Sequence, residues 1–398
     1  MLQVEMLSTG DEVLHGQIID TNAAWLADYL FENGFPMTRR NTVGDNLEAL
    51  VAVLQERSRQ ADIIIVNGGL GPTSDDLSAE AAAKAAGVEL TLHEAWLAHM
   101  EQFFSSRGRV MAPSNRKQAM IPAGSEMVDN PVGTACGFAL TLNRALIFFT
   151  PGVPSEFRQM VAQQIVPRLR KRYPEVAPPL CLRLTTFGRS ESDLAQSLNS
   201  LVLPPGVVMG YRSSMPIIEL KLTGPAQARE KMEALWPKVR EVAGESLIFE
   251  GTEGLPAQLA RRLGEQQLRL SLSEQFTAGL LALQLKSAGA PLLNCEVLTD
   301  RDETLEETAQ RAAVLVQKAG SELTLVAGAM HDEQLNVVLC TPTGLHAVRL
   351  KFSANRHDLR TRQEVCAMMA LNMLRRWLNG APVTTEHGWI QVVESFSQ

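Results

Sequence analysis

Cysteine is scarce in this 398-residue chain. Its five, Cys136, Cys181, Cys295, Cys340 and Cys366, are odd in number, widely spaced and never arranged as C-x-x-C, which excludes a disulfide framework and a cysteine-rich zinc site. They read as small apolar residues or incidental thiols. A basic excess is also missing: 37 Lys and Arg face 44 Asp and Glu, for a net charge of −7, and the chain lacks the overall balance of a nucleic-acid binder. The densest basic run, Arg168, Arg170, Lys171 and Arg172, closes an expected helix before Pro174, where cations suit the helix dipole. No apolar stretch approaches the roughly 20 residues of a membrane span, and the opening M-L-Q-V-E-M-L-S-T-G-D has no basic segment followed by an apolar one. A cytoplasmic protein without membrane or nucleic-acid partners is expected. Absent too are the Walker A Gly-Lys-Ser/Thr and the G-x-G-x-x-G dinucleotide fingerprint.

What is present is concentrated at residues 66–76, V-N-G-G-L-G-P-T-S-D-D. The run A-D-I-I-I-V before it fits a strand buried on both faces. Gly68, Gly69 and Gly71 then open backbone angles closed to other residues and let N–H groups approach an anion. S-A-E-A-A-A-K-A-A-G, at residues 78–87, is strongly helical and stops at a glycine. Strand, glycine loop and helix start in succession favour a phosphate. A second reading makes Thr73 an N-cap, with Asp76 completing a capping-box-like pair and both acids favouring the helix start. The three glycines have no part in that reading.

With 45% hydrophobic residues, the length allows two to four domains. The first 168 residues alternate strands (4–8, 63–67, 145–150) with helices (23–33, 47–60, 79–86, 95–107, 155–172), which predicts an open, doubly wound α/β sheet. Functional loops in such sheets gather at the carboxyl ends of the strands. Three qualify: T-G-D-E (9–12) continuing to G-Q-I-I-D-T-N (16–22), the loop at 66–76, and T-P-G-V-P-S-E (150–156). Each has a structural reading as well, because Asp20 or Thr21 can cap a helix and Pro151, Gly152 and Pro154 can shape a turn. A fourth segment, N-R-K-Q-A-M-I-P-A-G followed by N-P-V-G-T-A-C-G-F, adds donors at Gly133, Thr134 and Gly137. Its Lys117 either neutralises a phosphate or a leaving group or is simply solvated.

T-G-D-E, G-x-I-x-D-T-N, G-G-L-G-P-T-S-D-D, N-R-K-Q-A, N-P-V-G-T-A and P-G-V-P-S-E, in this order, resemble the N-terminal domain of the CinA family, which is related to molybdopterin-binding proteins. After the linker P-E-V-A-P-P, residues 174–250 read strand, helix, strand, strand, helix (181–187, 192–201, 207–212, 217–222, 226–242). They resemble the small KH-like α+β module of that family. RNA binding is not expected, since the G-x-x-G clamp is absent. Ser190 and Asp193 are explained as a helix cap, while Gly188 or Glu191 can reach the first domain's site. Residues 251–380 resemble the α/β C-terminal CinA domain, whose active relatives hydrolyse the amide of nicotinamide mononucleotide. Its expected elements are helices at 255–263 and 305–318, strands at 268–273 and 322–327, and a helix ending at 378. The tail, 381–398, is expected to be peripheral.

In those relatives a strand leads into E-S-C-T-G-G with the serine as nucleophile. Here Glu274, Gln275, Phe276, Thr277, Ala278 and Gly279 occupy the same place. A glutamine carboxamide is no nucleophile for acyl transfer, and Ser273, two residues earlier, is expected to point elsewhere. The family's tyrosine and lysine segment has no counterpart, since no tyrosine follows Tyr211. Arg356 and Arg360 match the arginine-bearing end, but arginines bind phosphate without cleaving an amide. The resemblance therefore implies a degenerate deamidase-like domain.

Active CinA N-terminal domains hydrolyse ADP-ribose to AMP and ribose 5-phosphate, so the resemblance implies metal-dependent cleavage of a nucleotide pyrophosphate bond. Asp11, Glu12, Asp75 and Asp76 suit a hard divalent cation, Mg²⁺, Mn²⁺ or Co²⁺. Asn22, Gly68, Gly69, Gly71, Thr73, Gly133, Thr134 and Gly152 would bind the nucleotide. Lys117 would offset leaving-group charge, and Asp76 or Glu156 would orient the water. Two alternatives stand beside this reading: a non-catalytic nucleotide or pterin sensor, and a role in molybdenum-cofactor biosynthesis. The family resemblance implies a homodimer.

Overall fold

The computed structural model describes residues 2–352, 357–385, 387 and 390–398. Two compact units divide the chain, Met1–Pro179 and Leu180–Gln398.

The first unit has eight strands: β1 (Val4–Thr9), β2 (Arg39–Val43), β3 (Ile63–Asn67), β4 (Leu90–Leu92), β5 (Met120–Pro122), β6 (Glu126–Val128), β7 (Gly137–Leu142) and β8 (Ala145–Thr150). Six form one sheet in the order β2-β1-β3-β8-β7-β6, while β4 and β5 pair separately. β2, β1, β3 and β8 run parallel, and β7 and β6 add an antiparallel edge. All five residues of β3 are buried. Ile64 and Val66 face one core, with Leu50, Ala81 and Trp96, and Ile63 and Ile65 face the other, with Leu26, Phe148 and Phe157. A continuous apolar run is what a strand covered on both faces requires.

The chain leaves β1 for β2 on one side and returns to β3 on the other. Their carboxyl ends therefore open a crevice, the usual binding place in an open α/β sheet. A buried ion pair, Arg57 to Glu5, ties the helix Leu47–Arg57 to β1. The expected helix over 155–172 is present but contains a π turn, Val161–Ile165, just before Pro167. Proline offers no N–H to the preceding turn, and widening that turn accommodates it.

The second unit carries two sheets. β9 (Leu180–Phe187), β10 (Val208–Ser214), β11 (Ile217–Gly224) and β12 (Leu247–Glu250) form an antiparallel sheet in the order β10-β11-β9-β12. Leu194 and Leu198 of the helix Glu191–Leu198, and Met232, Trp236 and Val239 of the helix Arg229–Ala243, share its core. Ser190 caps the first of these helices, accepting from the Asp193 N–H.

The last six strands are β13 (Leu270–Glu274), β14 (Leu292–Val297), β15 (Leu323–His331), β16 (Gln334–Thr341), β17 (Gly344–Phe352) and β18 (Ile390–Ser397), in the order β14-β13-β15-β16-β17-β18. The helices Leu255–Glu265, Leu280–Ser287 and Leu359–Leu378 contribute to one core, and Leu305–Ala319 contributes to a second. The tail is not peripheral: β18 hydrogen-bonds along β17 from Phe352–Ile390 to His346–Ser397, and Ile390 is fully buried. Its alternating burial is that of an edge strand, which a polar terminal sequence disguises.

His387, just before β18, packs edge-on against Phe187, with ring centroids 4.9 Å apart. Burial, reinforced by the charges of Arg376 and Arg375, pushes its pKa down to about 4. The folded state thus binds this proton less readily than the unfolded chain. Stability is full above the ordinary value of 6.5 and is lost as pH falls from there toward 4. The melting temperature should drop between pH 7 and pH 5, and His387→Gln should flatten that drop; equal slopes in both proteins would contradict this assignment.

Candidate functional site

A cavity of about 500 Å³ lies at the carboxyl ends of β1, β3 and β8, within the range of small-ligand sites. Its walls include Thr9, Gly10 and Glu12 after β1, Asn67 to Pro72 with Asp75 and Asp76 after β3, and Pro151 to Pro154 with Glu156 after β8. Val13, Ile18 to Asn22, Asp45, Gln118, Thr134 and Ala135 complete it.

Side-chain amides hold the loops in place. Asn67 donates to the Pro151 carbonyl at 2.7 Å and accepts from Asn22 at 3.0 Å, and Asn22 donates to the Gly152 carbonyl at 2.8 Å. Gln118 donates to the Leu70 carbonyl and accepts from Asn115 and Thr134, joining the glycine loop to the fourth segment. Asp20 caps the helix Thr21–Glu32 through the Ala23 N–H and also accepts from Ser8. Gly68 has φ +109°, and a β-carbon there would stand 2.6 Å from the Thr9 hydroxyl, so the loop needs glycine at this point.

The loop after β3 is closed on itself. Asp76 Oδ2 accepts from the Thr73 N–H at 2.9 Å and from the Thr73 hydroxyl at 2.5 Å. This pair forms upstream of the helix Ser78–Ala86, whose N-cap position is Leu77 and receives no side-chain cap. The N-cap reading of Thr73 is therefore incorrect, because a turn from Pro72 to Asp76 intervenes before helical geometry begins. Instead Ser78 donates to the Gly68 carbonyl at 2.8 Å, pulling the helix start onto the glycine loop.

The expected site residues divide clearly. Glu12, Asn22, Gly68, Gly69, Gly71, Asp75, Asp76, Thr134, Gly152 and Glu156 line the cavity; Asp11, Thr73, Lys117 and Gly133 do not. Lys117 donates to the Thr73 carbonyl behind the loop. Asp11 and Asp45 exchange hydrogen bonds, each carboxylate accepting from the other's N–H at 3.1 Å. Asn22 has committed its amide hydrogens to Asn67 and Gly152, and its buried Oδ1 has no partner. With both amide hydrogens used, Asn22 braces the loops after β3 and β8 and has no donor left for a phosphate.

Asp45 was not anticipated. Burial, then the charges of Asp11, Glu12 and Asp75, raise its pKa, with the Asp11 N–H pulling the other way. Asp75 is held below the usual carboxylate range, chiefly by the neighbouring Thr73 hydroxyl, then by its own N–H and the charge of Lys117. Among the described residues no group of three or more His, Cys, Asp or Glu side chains could hold a metal ion unaided. A protein-only metal cage does not fit. Glu12, Asp75 and Asp76 suit an ion that takes one or two carboxylates and fills its remaining positions with phosphate oxygens and water.

In the second unit, the strand end where Gln275 was expected in place of a nucleophile is closely hydrogen-bonded. Glu274 is fully buried and accepts from Thr277 Oγ1 at 2.6 Å and from the N–H groups of Leu281 and Ala282 at 3.0 and 2.8 Å. Gln275 donates to the Thr299 carbonyl and accepts from Arg311 at 2.9 Å, and Arg311 pairs with Glu303 at 2.8 Å. Ser273 does not point elsewhere. It too receives a hydrogen bond from Arg311, because residues i and i+2 of a strand share a face. Arg360 pairs with Glu364 on its own helix at 2.9 Å, and Arg356 lies outside the described residues.

A doubly wound sheet with a convergent, glycine-lined crevice defines an α/β domain, and residues 5–171 match the family described as "Probable molybdopterin binding domain". The chain belongs to the CinA-like proteins: it is 66% identical over 397 residues to the CinA-like protein of Escherichia coli O9:H4 (strain HS), covering 100% of this chain and 99% of that one. The same identity and coverage hold for the "NMN amidohydrolase-like protein YfaY" of E. coli K12. A crystal structure of CinA from Thermoplasma acidophilum aligns with 44% of this chain and 96% of its own, at 29% identity and a TM-score of 0.37. No helix among the described residues is long and apolar enough to cross a membrane.

Proposed function

We propose that the first unit hydrolyses the pyrophosphate bond of a nucleotide diphosphate sugar, with ADP-ribose giving AMP and ribose 5-phosphate. The observation that carries this reading is the meeting of the glycine loop with Glu12, Asp75, Asp76 and Glu156 in one cavity at the sheet's crossover point. The Gly68 N–H is committed to the Thr150 carbonyl at 2.9 Å, and the backbone N–H groups of residues 69–71 donate to phosphate oxygens. A divalent cation arriving with the diphosphate would neutralise its charge and be held by Asp75 and its acidic neighbours.

The second unit takes no part in this chemistry. The relative's name points to nicotinamide mononucleotide, but here both ends of the Gln275 carboxamide are bonded. A carboxamide so held is no nucleophile for acyl transfer.

Incubating the protein with ADP-ribose and Mg²⁺, Mn²⁺ or Co²⁺, with products resolved by chromatography, should give equimolar AMP and ribose 5-phosphate. A chelator should stop the reaction. Nicotinamide mononucleotide should yield no ammonia. Calorimetric binding of ADP-ribose without products would favour a nucleotide sensor. Binding of molybdopterin in its place would favour cofactor biosynthesis, the reading that the domain match supports.

A further inference from the structure

Two carboxylates on the cavity wall compete for the role of orienting the attacking water, and their surroundings differ. Asp76 is bound to its own loop. Its Oδ2 receives both Thr73 donors, and a β-carbon on Gly71 would lie 2.4 Å from Oδ2 and 2.9 Å from Oδ1. Oδ2 is thereby committed to clamping the loop.

Glu156 is anchored from outside its own element and keeps an oxygen free. Its Oε2 accepts from Asn130 Nδ2 at 2.8 Å. Asn130 is fully buried, and its amide is fixed by a second bond to the Ala135 carbonyl at 3.1 Å. The loop at 130–135 wraps this carboxylate so closely that a β-carbon on Gly133 would stand 2.1 Å from Oε2. That explains why Gly133 belongs to the motif although it does not line the cavity. Glu156 itself does line it, facing the glycine loop from the β8 side, and Oε1 has no hydrogen-bond partner among the described residues. One oxygen fixed by a buried amide and the other open to the cavity is the arrangement a general base needs.

We infer that Glu156, positioned by Asn130, is the residue that orients and deprotonates the attacking water, and that Asp76 is a loop clamp. The inference rests on the pyrophosphatase reading above. The water oxygen bonds to one phosphorus as the bridging P–O bond breaks, the bridging oxygen leaves on the other phosphate, and the water proton passes to Glu156 and then to solvent.

The test compares wild type, Glu156→Gln, Glu156→Asp and Asp76→Asn on ADP-ribose with a divalent cation, with AMP affinity measured calorimetrically in each. Glu156→Gln should lower kcat by about 100-fold or more, leave AMP affinity within about 3-fold and remove the acidic limb of the kcat–pH profile. Glu156→Asp should recover part of the rate together with that limb. Asp76→Asn should raise KM and weaken AMP binding, with kcat lowered less than about 10-fold, because it loosens the loop and leaves the base in place. Near-normal kcat in Glu156→Gln, or loss of the acidic limb in Asp76→Asn instead, would overturn the assignment. A wild-type protein that binds AMP and ADP-ribose without cleaving them would defeat the pyrophosphatase reading and this assignment together. Cleavage by wild type that persists undiminished in Glu156→Gln would defeat the assignment alone.

Discussion

Asp75→Asn combined with Asp76→Asn is expected to lower AMP formation from ADP-ribose by at least about 1,000-fold, the scale on which preorganised electrostatic groups act in hydrolytic sites. The two acids contribute differently. Asp75 is exposed, held below the ordinary carboxylate pKa and near Lys117, so it presents full negative charge to a cation near neutral pH. Asp76 sets the curvature of the loop through Thr73. Removing both takes away a cation ligand and relaxes the glycine backbone that receives the phosphate. Neither is buried in a core, and the melting temperature should move by no more than about 3 °C. A discontinuous chromatographic assay on folded double variant decides the matter, and unchanged turnover would remove the proposed site.

Replacing Glu274 by alanine should cost the second unit about 3–5 kcal/mol, because three donors, Thr277 Oγ1 and the N–H groups of Leu281 and Ala282, lose their acceptor where water does not replace it. For a unit of this size that corresponds to a fall of about 6–20 °C in its melting temperature. Glu274→Gln should fall between the two, since one oxygen survives. Calorimetry or circular dichroism would measure the effect, and a shift under about 2 °C would show that the helix Leu280–Ser287 is capped by other means. Glu274 thus does structural work of its own: it satisfies the start of a helix, which is necessary whether or not chemistry follows.

The sequence revealed the centre of the first unit well and its edges poorly. β1, β3 and β8 are legible because strands covered on both faces must be apolar throughout. β2, R-R-N-T-V, is an edge strand with exposed arginines and carries no such signal. Missing it also concealed Asp45, which sits at that strand's carboxyl end as Asp75 does near the next. In the second unit, β15 and β16 are joined by Asp332 and Glu333 with φ of +45° and +63°. Such a hairpin is usually marked by Asn-Gly or Asp-Gly, and Asp-Glu hides it. Motif order located the cavity loops, yet it could not separate residues that line the cavity from those that brace it. Thr73, Lys117 and Gly133 look like ligand contacts in a list of motifs. Their partners, Asp76, a carbonyl and the Glu156 carboxylate, are visible only in three dimensions.

The amide relay through Asn22, Asn67 and Gly152 joins residues as many as 130 positions apart. No shorter piece of the chain contains the cavity, and the cavity cannot form until β8 has docked on β3. Binding capacity should therefore appear as one of the last events of folding and vanish as one of the first on unfolding. By mass action, a ligand held there stabilises the whole sheet against opening rather than any single loop.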